Sequence, residues 1–159
     1  ITIDSQVPVL FFDGKTGKEI RNDSGAYSKA GGASEHTIID LNPNDPQKEI
    51  LLQTSGGGTI ANYYGLKILK FDESSQSMQS IFTTSISDFY WDEKGKERLS
   101  EVFYVDILYK KEHLNEIKIY KGKFIDKVEP YNLHIKPVGK IQEYYLFNPK
   151  TKKFDKQNL

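Results

Sequence analysis

Short apolar segments separated by turn residues make up most of this 159-residue chain. Segments rich in β-branched and aromatic residues, with apolar side chains at about every second position, are typical of β-strands. They occur at residues 7–12, 50–53, 63–71, 81–91, 101–109, 117–125, 143–147 and 153–156. Asp-Gly, Asn-Pro and serine-rich stretches between them favour hairpin turns. No segment keeps a 3.6-residue apolar period, so the pattern predicts a mainly β protein.

Three regions are expected to interrupt the strands. Residues 21–35 are polar and contain glycine, which predicts a surface loop, and the glycines in residues 54–59 predict a flexible connection. Pro130 and Pro137 are expected to break up the stretch that follows residue 125, because proline cannot donate a hydrogen bond to a sheet. Residues 110–120 also fit a short helix.

The length predicts a single domain of antiparallel strands over residues 1–159, long enough to bury about 70% of the surface of the unfolded chain. A sandwich, a barrel and a propeller-related fold all fit the pattern. A complete propeller does not fit, because four blades of four strands would leave only about ten residues for each strand and its turn.

Composition narrows the class of protein. Lysine plus arginine and aspartate plus glutamate each number 22, which argues against a nucleic-acid-binding protein with its usual basic excess. There is no cysteine, and no apolar segment reaches the ~20 residues of a membrane-spanning helix. The chain begins Ile-Thr-Ile, so any signal peptide or lipid-anchored cysteine would already have been removed. We expect an extracytoplasmic location: periplasmic, secreted, or lipid-anchored before processing.

A weak internal similarity links several predicted turns. Phe12-Asp13 and Phe147-Asn148 each precede a turn residue, a lysine and a threonine, and Phe71-Asp72 and Trp91-Asp92 open two further turns in the same way. Two interpretations remain open. Hairpins in general use Asp or Asn after an aromatic strand end, or the chain contains a degenerate β repeat.

Residues 37–53 hold the densest group of oxygen donors in the chain. Asp40, Asn42 and Asn44 alternate at every second position, and Asp45 and Glu49 follow. Calcium binds six to eight oxygens at once, and alternate loop residues can direct several side chains towards one ion. The sequence therefore predicts a calcium site at Asp40, Asn42, Asn44 and Glu49, with an Asx-Pro turn whose acids face solvent as the alternative.

This loop resembles the calcium loop of integrin-type FG-GAP (VCBS-like) β-propeller repeats, in which Asp-x-Asn/Asp-x-Asp-Gly-x-x-Asp precedes a hydrophobic strand. Asp40, Asn42 and Asn44 match the first three ligand positions. Asp45 stands where that family has glycine, and Glu49 comes one residue later than the last acid of the family pattern. The resemblance implies a calcium-stabilised β protein.

A second resemblance is to small periplasmic β proteins that inhibit lysozyme and to related immunity proteins. It is carried by Leu41-Asn42 before the apolar residues 50–52 and by the hairpin of residues 145–154. The resemblance implies a non-enzymatic inhibitor that fills the cleft of a hydrolase with a loop. The loops suited to this are residues 55–62 and 87–96, and the predicted partner-binding residues in and beside them are Asn62, Tyr63, Tyr90 and Trp91.

Catalytic motifs are absent from the sequence. The three histidines lie far apart, no His-Glu-x-x-His or Gly-x-Ser-x-Gly motif occurs, and no cysteine can act as a nucleophile. We therefore expect a non-catalytic extracytoplasmic binding module stabilised by calcium. The alternatives are a protein inhibitor or immunity protein against a secreted hydrolase, a carbohydrate-binding module that uses the aromatic residues, and an enzyme that acts through carboxylates.

Overall fold

The described part of the protein consists of strands and turns, which confirms the mainly β class. A computed structural model describes residues 11–22, 31–42, 46–57, 61–91, 94, 97–110, 113–125 and 135–159. The ten strands are β1 (Phe11–Phe12), β2 (Glu19–Asn22), β3 (Gly31–Ile39), β4 (Glu49–Gly57), β5 (Ala61–Asp72), β6 (Ser77–Trp91), β7 (Glu97–Lys110), β8 (His113–Phe124), β9 (Ile135–Asn148) and β10 (Lys153–Lys156).

Neighbours in the chain are neighbours in the sheet. The order runs β10-β9-β8-β7-β6-β5-β4-β3, with every pair antiparallel. Within the described strands β3 and β10 are not paired with each other, so the sheet does not close into a barrel. The described ranges also contain no helix of the length and apolar character needed to cross a membrane.

Strand β7 connects two halves of the sheet. Its first residues pair with β6, from Trp91 opposite Glu97 to Ser87 opposite Val102. Its remaining residues, 103–110, pair with β8. The chain therefore passes from a β3–β6 half to a β7–β10 half along one strand, and the two halves are free to fold face to face, as in a sandwich.

The main core lies between the two halves. Phe82 of β6 contacts the ring of Tyr145 of β9 at 5.1 Å between centroids and that of Phe154 of β10 at 5.5 Å. The buried apolar residues of this core come from both halves and from the segment after β3: Ile39, Leu41, Leu66, Ile68, Phe82, Ile117 and Ile119. Such contact across the two faces is consistent with a single β-sandwich-like domain.

The β1–β2 hairpin covers the opposite face of the first half. Strand β2 pairs in parallel with the start of β6, with Arg21 opposite Ser77. Phe11 and Ile20 pack against a second core of Leu52, Leu69 and Met78. Because alternate side chains of a strand point to opposite faces, β5 contributes Ile68 to one core and Leu69 to the other, and both are completely buried.

Two predicted loops are in part strands. Residues 31–35 belong to β3 and residues 54–57 to β4, although their glycines predicted irregular structure. Gly31 pairs with Gly56, and Gly56 also pairs with Tyr63 of β5. Pairing with strands on both sides satisfies the backbone groups of β4, and this overrides the low strand propensity of glycine. Residues 23–30 and 58–60 lie outside the described ranges.

One further sequence prediction is wrong, and one alternative to the predicted strands is not formed in the described residues. Strand β9 runs through Pro137 rather than breaking there, because this residue lies near the start of the strand, just before the register shift between β8 and β9. The described residues of segment 110–120 are strand rather than helix, since β8 pairs with a neighbour on each side. Pro130 lies outside the described residues.

Gly122 occupies a point of close approach in the second half. A Cβ atom there would lie 2.6 Å from Cγ2 of Ile135 and 2.9 Å from Cγ1 of Val102. Real Cβ atoms do not approach so closely, so the packing of β8 against these side chains requires glycine.

Candidate functional site

A groove of about 800 Å³ opens at one end of the sandwich. One wall is the β5–β6 turn and the other is the β9–β10 turn, while the loop that precedes β4 closes a third side. Its lining combines carboxylates, amides, hydroxyls and ammonium groups with a few apolar side chains. The lining residues are Pro46, Gln47, Lys70, Phe71, Asp72, Glu73, Ser74, Ser75, Gln79, Ser80, Ile81, Thr151, Lys152 and Lys153.

The β5–β6 and β9–β10 turns, called the groove turns below, have the same hydrogen-bond pattern as the β1–β2 turn. Each begins with an Asp or Asn whose side-chain oxygen accepts backbone N–H bonds from the residues just after it, which is an Asx turn. Asp13 accepts from the second and third following residues at 2.9 and 2.6 Å. Asp72 accepts from the second at 3.1 Å, and Asn148 accepts from the second and third at 3.0 and 3.4 Å. The interpretation that these hairpins use Asp or Asn after an aromatic strand end is therefore confirmed for the three turns, whereas Asp92 lies outside the described residues and the β repeat stays a hypothesis.

The two turns that line the groove differ from the β1–β2 turn at one backbone position. In each turn the fourth residue after the Asp or Asn has a positive φ: 66° at Gly17, 51° at Gln76 and 57° at Lys152. Glycine adopts this left-handed conformation without steric cost, whereas other residues are disfavoured there. The two turns beside the groove therefore carry long polar side chains at a position that the β1–β2 turn gives to glycine.

The β5–β6 wall is acidic, but its acids are already engaged. Asp72 accepts hydrogen bonds from the Ser74 hydroxyl at 2.8 and 2.9 Å and from the Ser75 hydroxyl at 2.7 Å. These bonds favour the ionised form and hold the pKa of Asp72 below its usual value. Gln47 donates from Nε2 to Oε1 of Glu73 at 2.9 Å, which ties the loop before β4 to this wall.

A buried ion pair lies behind the groove. Nζ of Lys70 is 2.5 Å from Oε1 of Glu49, and the exposed fractions of the two side chains are 6% and 0%. The other carboxylate oxygen of Glu49 accepts the backbone N–H of Leu41 at 3.0 Å. Because Ile50 pairs with Leu69, Glu49 and Lys70 lie opposite each other on β4 and β5, on the face that carries the main core.

The predicted calcium ligands lie beside this groove, and lysines hold both described carboxylates. Asp40 is paired with Lys48 and accepts the backbone N–H of Asn42 at 3.1 Å, while Glu49 is held by Lys70. Asn44 lies outside the described residues. In the ranges that the structure describes, no three His, Cys, Asp or Glu side chains come together as a metal site. Calcium would have to displace both lysines, and its site stays a prediction.

The predicted partner-binding residues lie at the opposite end of β5 and β6. The pairing sets Asn62 opposite Phe89, Tyr63 opposite Asp88 and Tyr90 opposite Ala61. Residues 87–91 belong to strand β6 and residues 61–62 to β5, so the two loops predicted at 55–62 and 87–96 are shorter than expected. Tyr63 and Phe71 are eight strand residues apart, which places this end about 26 Å from the groove.

The sequence interpretation did not identify Lys70 or the two groove turns as a site. A signal for the ion pair was present, because Lys70 continues the alternation of Leu66 and Ile68 and should share their buried face. Glu49 stands in the same relation to Leu51 on the neighbouring strand. Two opposite charges at core positions of adjacent strands indicate a buried pair.

Comparisons with known proteins returned no match, whether with protein-family models, curated proteins or solved structures. Function is therefore inferred from the chemistry of the groove.

Proposed function

We propose that the protein is a non-catalytic, extracytoplasmic binding module whose groove holds a carbohydrate chain. The observation that carries this proposal is the composition of the groove, in which carboxylate, amide and hydroxyl side chains lie beside an apolar surface. Sugar hydroxyls both donate and accept hydrogen bonds, and these side chains supply both functions. The apolar faces of sugar rings would pack against Phe71, Ile81 and Pro46.

The size of the groove supports a small polar ligand. Binding clefts for small molecules enclose roughly 300–1,000 Å³, and this groove has about 800 Å³. It is also open along one side, so a chain longer than the groove can extend beyond it. Protein interfaces are anchored by Trp, Tyr and Arg, and the described residues of the groove lining include none of the three. This argues against a protein partner in the groove.

The proposal is tested by filling the groove. Thr151 is an exposed lining residue, three positions after Asn148, and Thr16 is the equivalent residue of the β1–β2 turn, outside the groove. We expect Thr151→Trp to abolish binding of oligosaccharides in calorimetric titrations and Thr16→Trp to leave it unchanged. Thermal melts of both variants establish that they are folded. If the purified protein binds none of a broad panel of glycans, or if both variants bind like the wild type, the proposal is wrong.

A second candidate function uses the other end of β5 and β6. The strand pairing sets the backbone of Asn62 and Tyr63 of β5 beside the end of β6 that contains Tyr90 and Trp91. This grouping favours a protein inhibitor or immunity protein that presents aromatic residues to a secreted hydrolase. Such a protein would form a complex with a cell-wall hydrolase that Trp91→Ala weakens by more than about tenfold, while Thr151→Trp has no effect. A complex with the opposite response to the two substitutions would assign the interface to the groove.

The extracytoplasmic location is proposed from the sequence patterns alone. Fractionation of producing cells tests it, since we expect the protein in the periplasmic, surface or culture fraction. Recovery in the cytosolic fraction would contradict it.

A further inference from the structure

We propose that the groove selects carbohydrate chains that carry anionic groups, carboxylate or sulfate, and that Lys152 and Lys153 recognise these groups. This inference rests on the proposed glycan function and specifies the class of glycan. It follows from the different charges of the two groove walls, and from the different ways in which those charges are engaged.

The β9–β10 wall is cationic. Lys150, Lys152 and Lys153 occur within four residues, and residues 149–154 contain no acid. All three side chains are exposed, and two of them line the groove. The chain as a whole has a formal charge of zero. The concentration of ammonium groups on one wall is therefore a local feature of the groove.

The acids that could neutralise this wall have other partners. Asp72 is held by the hydroxyls of Ser74 and Ser75, and Glu73 by the amide of Gln47. In the part of the chain that the structure describes, no carboxylate lies within ion-pair distance of Lys152 or Lys153. Lys152 and Lys153 line the groove, and their charge is therefore available to a ligand.

Two features of the β9–β10 turn support a role of its lysines in binding. Its first residue is Asn148, whereas the equivalent residues of the other two turns are Asp13 and Asp72. An amide makes the same backbone hydrogen bonds as a carboxylate without adding a negative charge of its own, and its Nδ2 also donates to the carboxylate of Asp155 at 2.7 Å, which engages the acid nearest in sequence to Lys153. Lys152 also has a left-handed backbone, with φ 57°, where the β1–β2 turn has Gly17. A lysine at a position that suits glycine is consistent with a role in binding, because residues with such backbone strain cluster at functional sites.

A lysine ammonium is a compact charge with three donors, which suits oxygen anions of several geometries. Carboxylated and sulfated sugars share this chemistry. The groove would hold the sugar rings against its polar and apolar surface and place an anionic substituent at the β9–β10 wall. Neutral sugars would lack the interaction with the lysines of the β9–β10 wall and would bind more weakly.

The test compares three probes of similar length: an oligogalacturonate, a sulfated heparin-derived oligosaccharide and a neutral cello-oligosaccharide. Each is titrated calorimetrically into the wild type, into Lys152→Gln/Lys153→Gln, and into the control Lys15→Gln/Lys18→Gln. The control removes the same charge from the equivalent turn of the β1–β2 hairpin, outside the groove. A Thr151→Trp variant reports whether a bound probe occupies the groove at all.

We expect the dissociation constant of at least one anionic probe to rise about three- to tenfold in the groove variant, which is the effect of losing two exposed charge contacts. The control variant should bind like the wild type, and added salt should reduce the difference. A preference for the oligogalacturonate or for the heparin fragment identifies carboxylate or sulfate as the ligand group.

Three outcomes would overturn the inference. Equal loss of affinity in the groove and control variants would mean that the lysines act only through the net charge of the protein. Equal binding of neutral and anionic probes, with Thr151→Trp abolishing both, would leave a glycan groove without charge selection. Binding of none of the probes would remove the charge selection and would also count against the proposed glycan function.

Discussion

The buried ion pair behind the groove makes the sharpest prediction about stability. Lys70→Met retains the length and apolar stem of the lysine but leaves the completely buried carboxylate of Glu49 with the N–H of Leu41 as its one donor among the described residues. Glu49→Gln removes the counter-charge that Glu49 supplies to the buried ammonium of Lys70. Breaking a buried pair from one side costs about 3–5 kcal/mol, because the remaining charge stays out of water without compensation.

The expected shift in melting temperature follows from the size of the chain. For a protein of this length, 1 kcal/mol corresponds to about 2–4 °C, so each single variant should melt roughly 6–20 °C below the wild type. The double variant Glu49→Gln/Lys70→Met removes both charges and leaves the amide to accept the N–H of Leu41. We expect it to recover most of the loss, because replacing a buried pair with neutral groups is often close to neutral.

The assay is urea unfolding followed by far-ultraviolet circular dichroism on the four proteins of this double-mutant cycle. Lys48→Met is the matched control, because it removes a lysine from the exposed pair with Asp40, whose side chains are 52% and 21% accessible. Such a pair is worth only about 0.2–1 kcal/mol. If Lys70→Met costs no more than this control, or if the losses in the double variant simply add, the pair does not have the role that its burial implies.

Four smaller predictions follow from other parts of the fold. Gly122→Ala should lower the free energy of unfolding by about 1–3 kcal/mol because the new methyl group overlaps its neighbours, and an unchanged urea midpoint would contradict the close packing. Gln76→Gly should raise stability by up to about 1 kcal/mol, since its φ of 51° suits glycine and this gain should exceed the loss of the exposed hydrogen bond from its Nε2 to the carbonyl of Glu73; a loss of stability would show that relief of the backbone strain does not outweigh that bond. Burial, with the hydrogen bond to Glu143, raises the pKa of Tyr145 to about 12. The contribution of Tyr145 to stability is therefore complete below pH 10, the usual pKa of tyrosine, and is lost as the pH rises towards 12. Glu143→Gln should lower this pKa in an ultraviolet titration, and an unchanged pKa would refute the contribution of the hydrogen bond. The predicted calcium site is tested by adding about 10 mM calcium: a rise in melting temperature that Asp40→Ala abolishes would support it, and an unchanged melting temperature would mean that the lysines keep both described carboxylates of the loop.

The turns were predictable from the sequence because their chemistry is local. Asp13, Asp72 and Asn148 follow aromatic strand ends and bond to backbone groups only two or three residues away, so a few letters of sequence contain the whole interaction. The class of fold was predictable for the same reason. Alternation of apolar residues reports a strand whatever its neighbours are.

The features that could not be predicted from the sequence depend on contacts between strands that are distant in the chain. The glycines of β3 and β4 predicted loops, and they are strands because Gly31 meets Gly56 across the sheet. The register of β4 against β5 brings Glu49 and Lys70 together, and that register is absent from the local pattern of either strand. The groove arises in the same way, since its two turns are separated by about half of the chain and meet only because the halves of the sandwich fold together.

The most direct test of the glycan groove is a chemical-shift map of the ¹⁵N-labelled protein during titration with the anionic oligosaccharide that binds best. We expect the largest amide shifts in the β5–β6 turn, in the β9–β10 turn and at Gln47, with Tyr63 and Trp91 unaffected. Shifts concentrated at Tyr63, Tyr90 and Trp91, with the two groove turns unchanged, would contradict the assignment of the groove and place the binding surface at the other end of the strands.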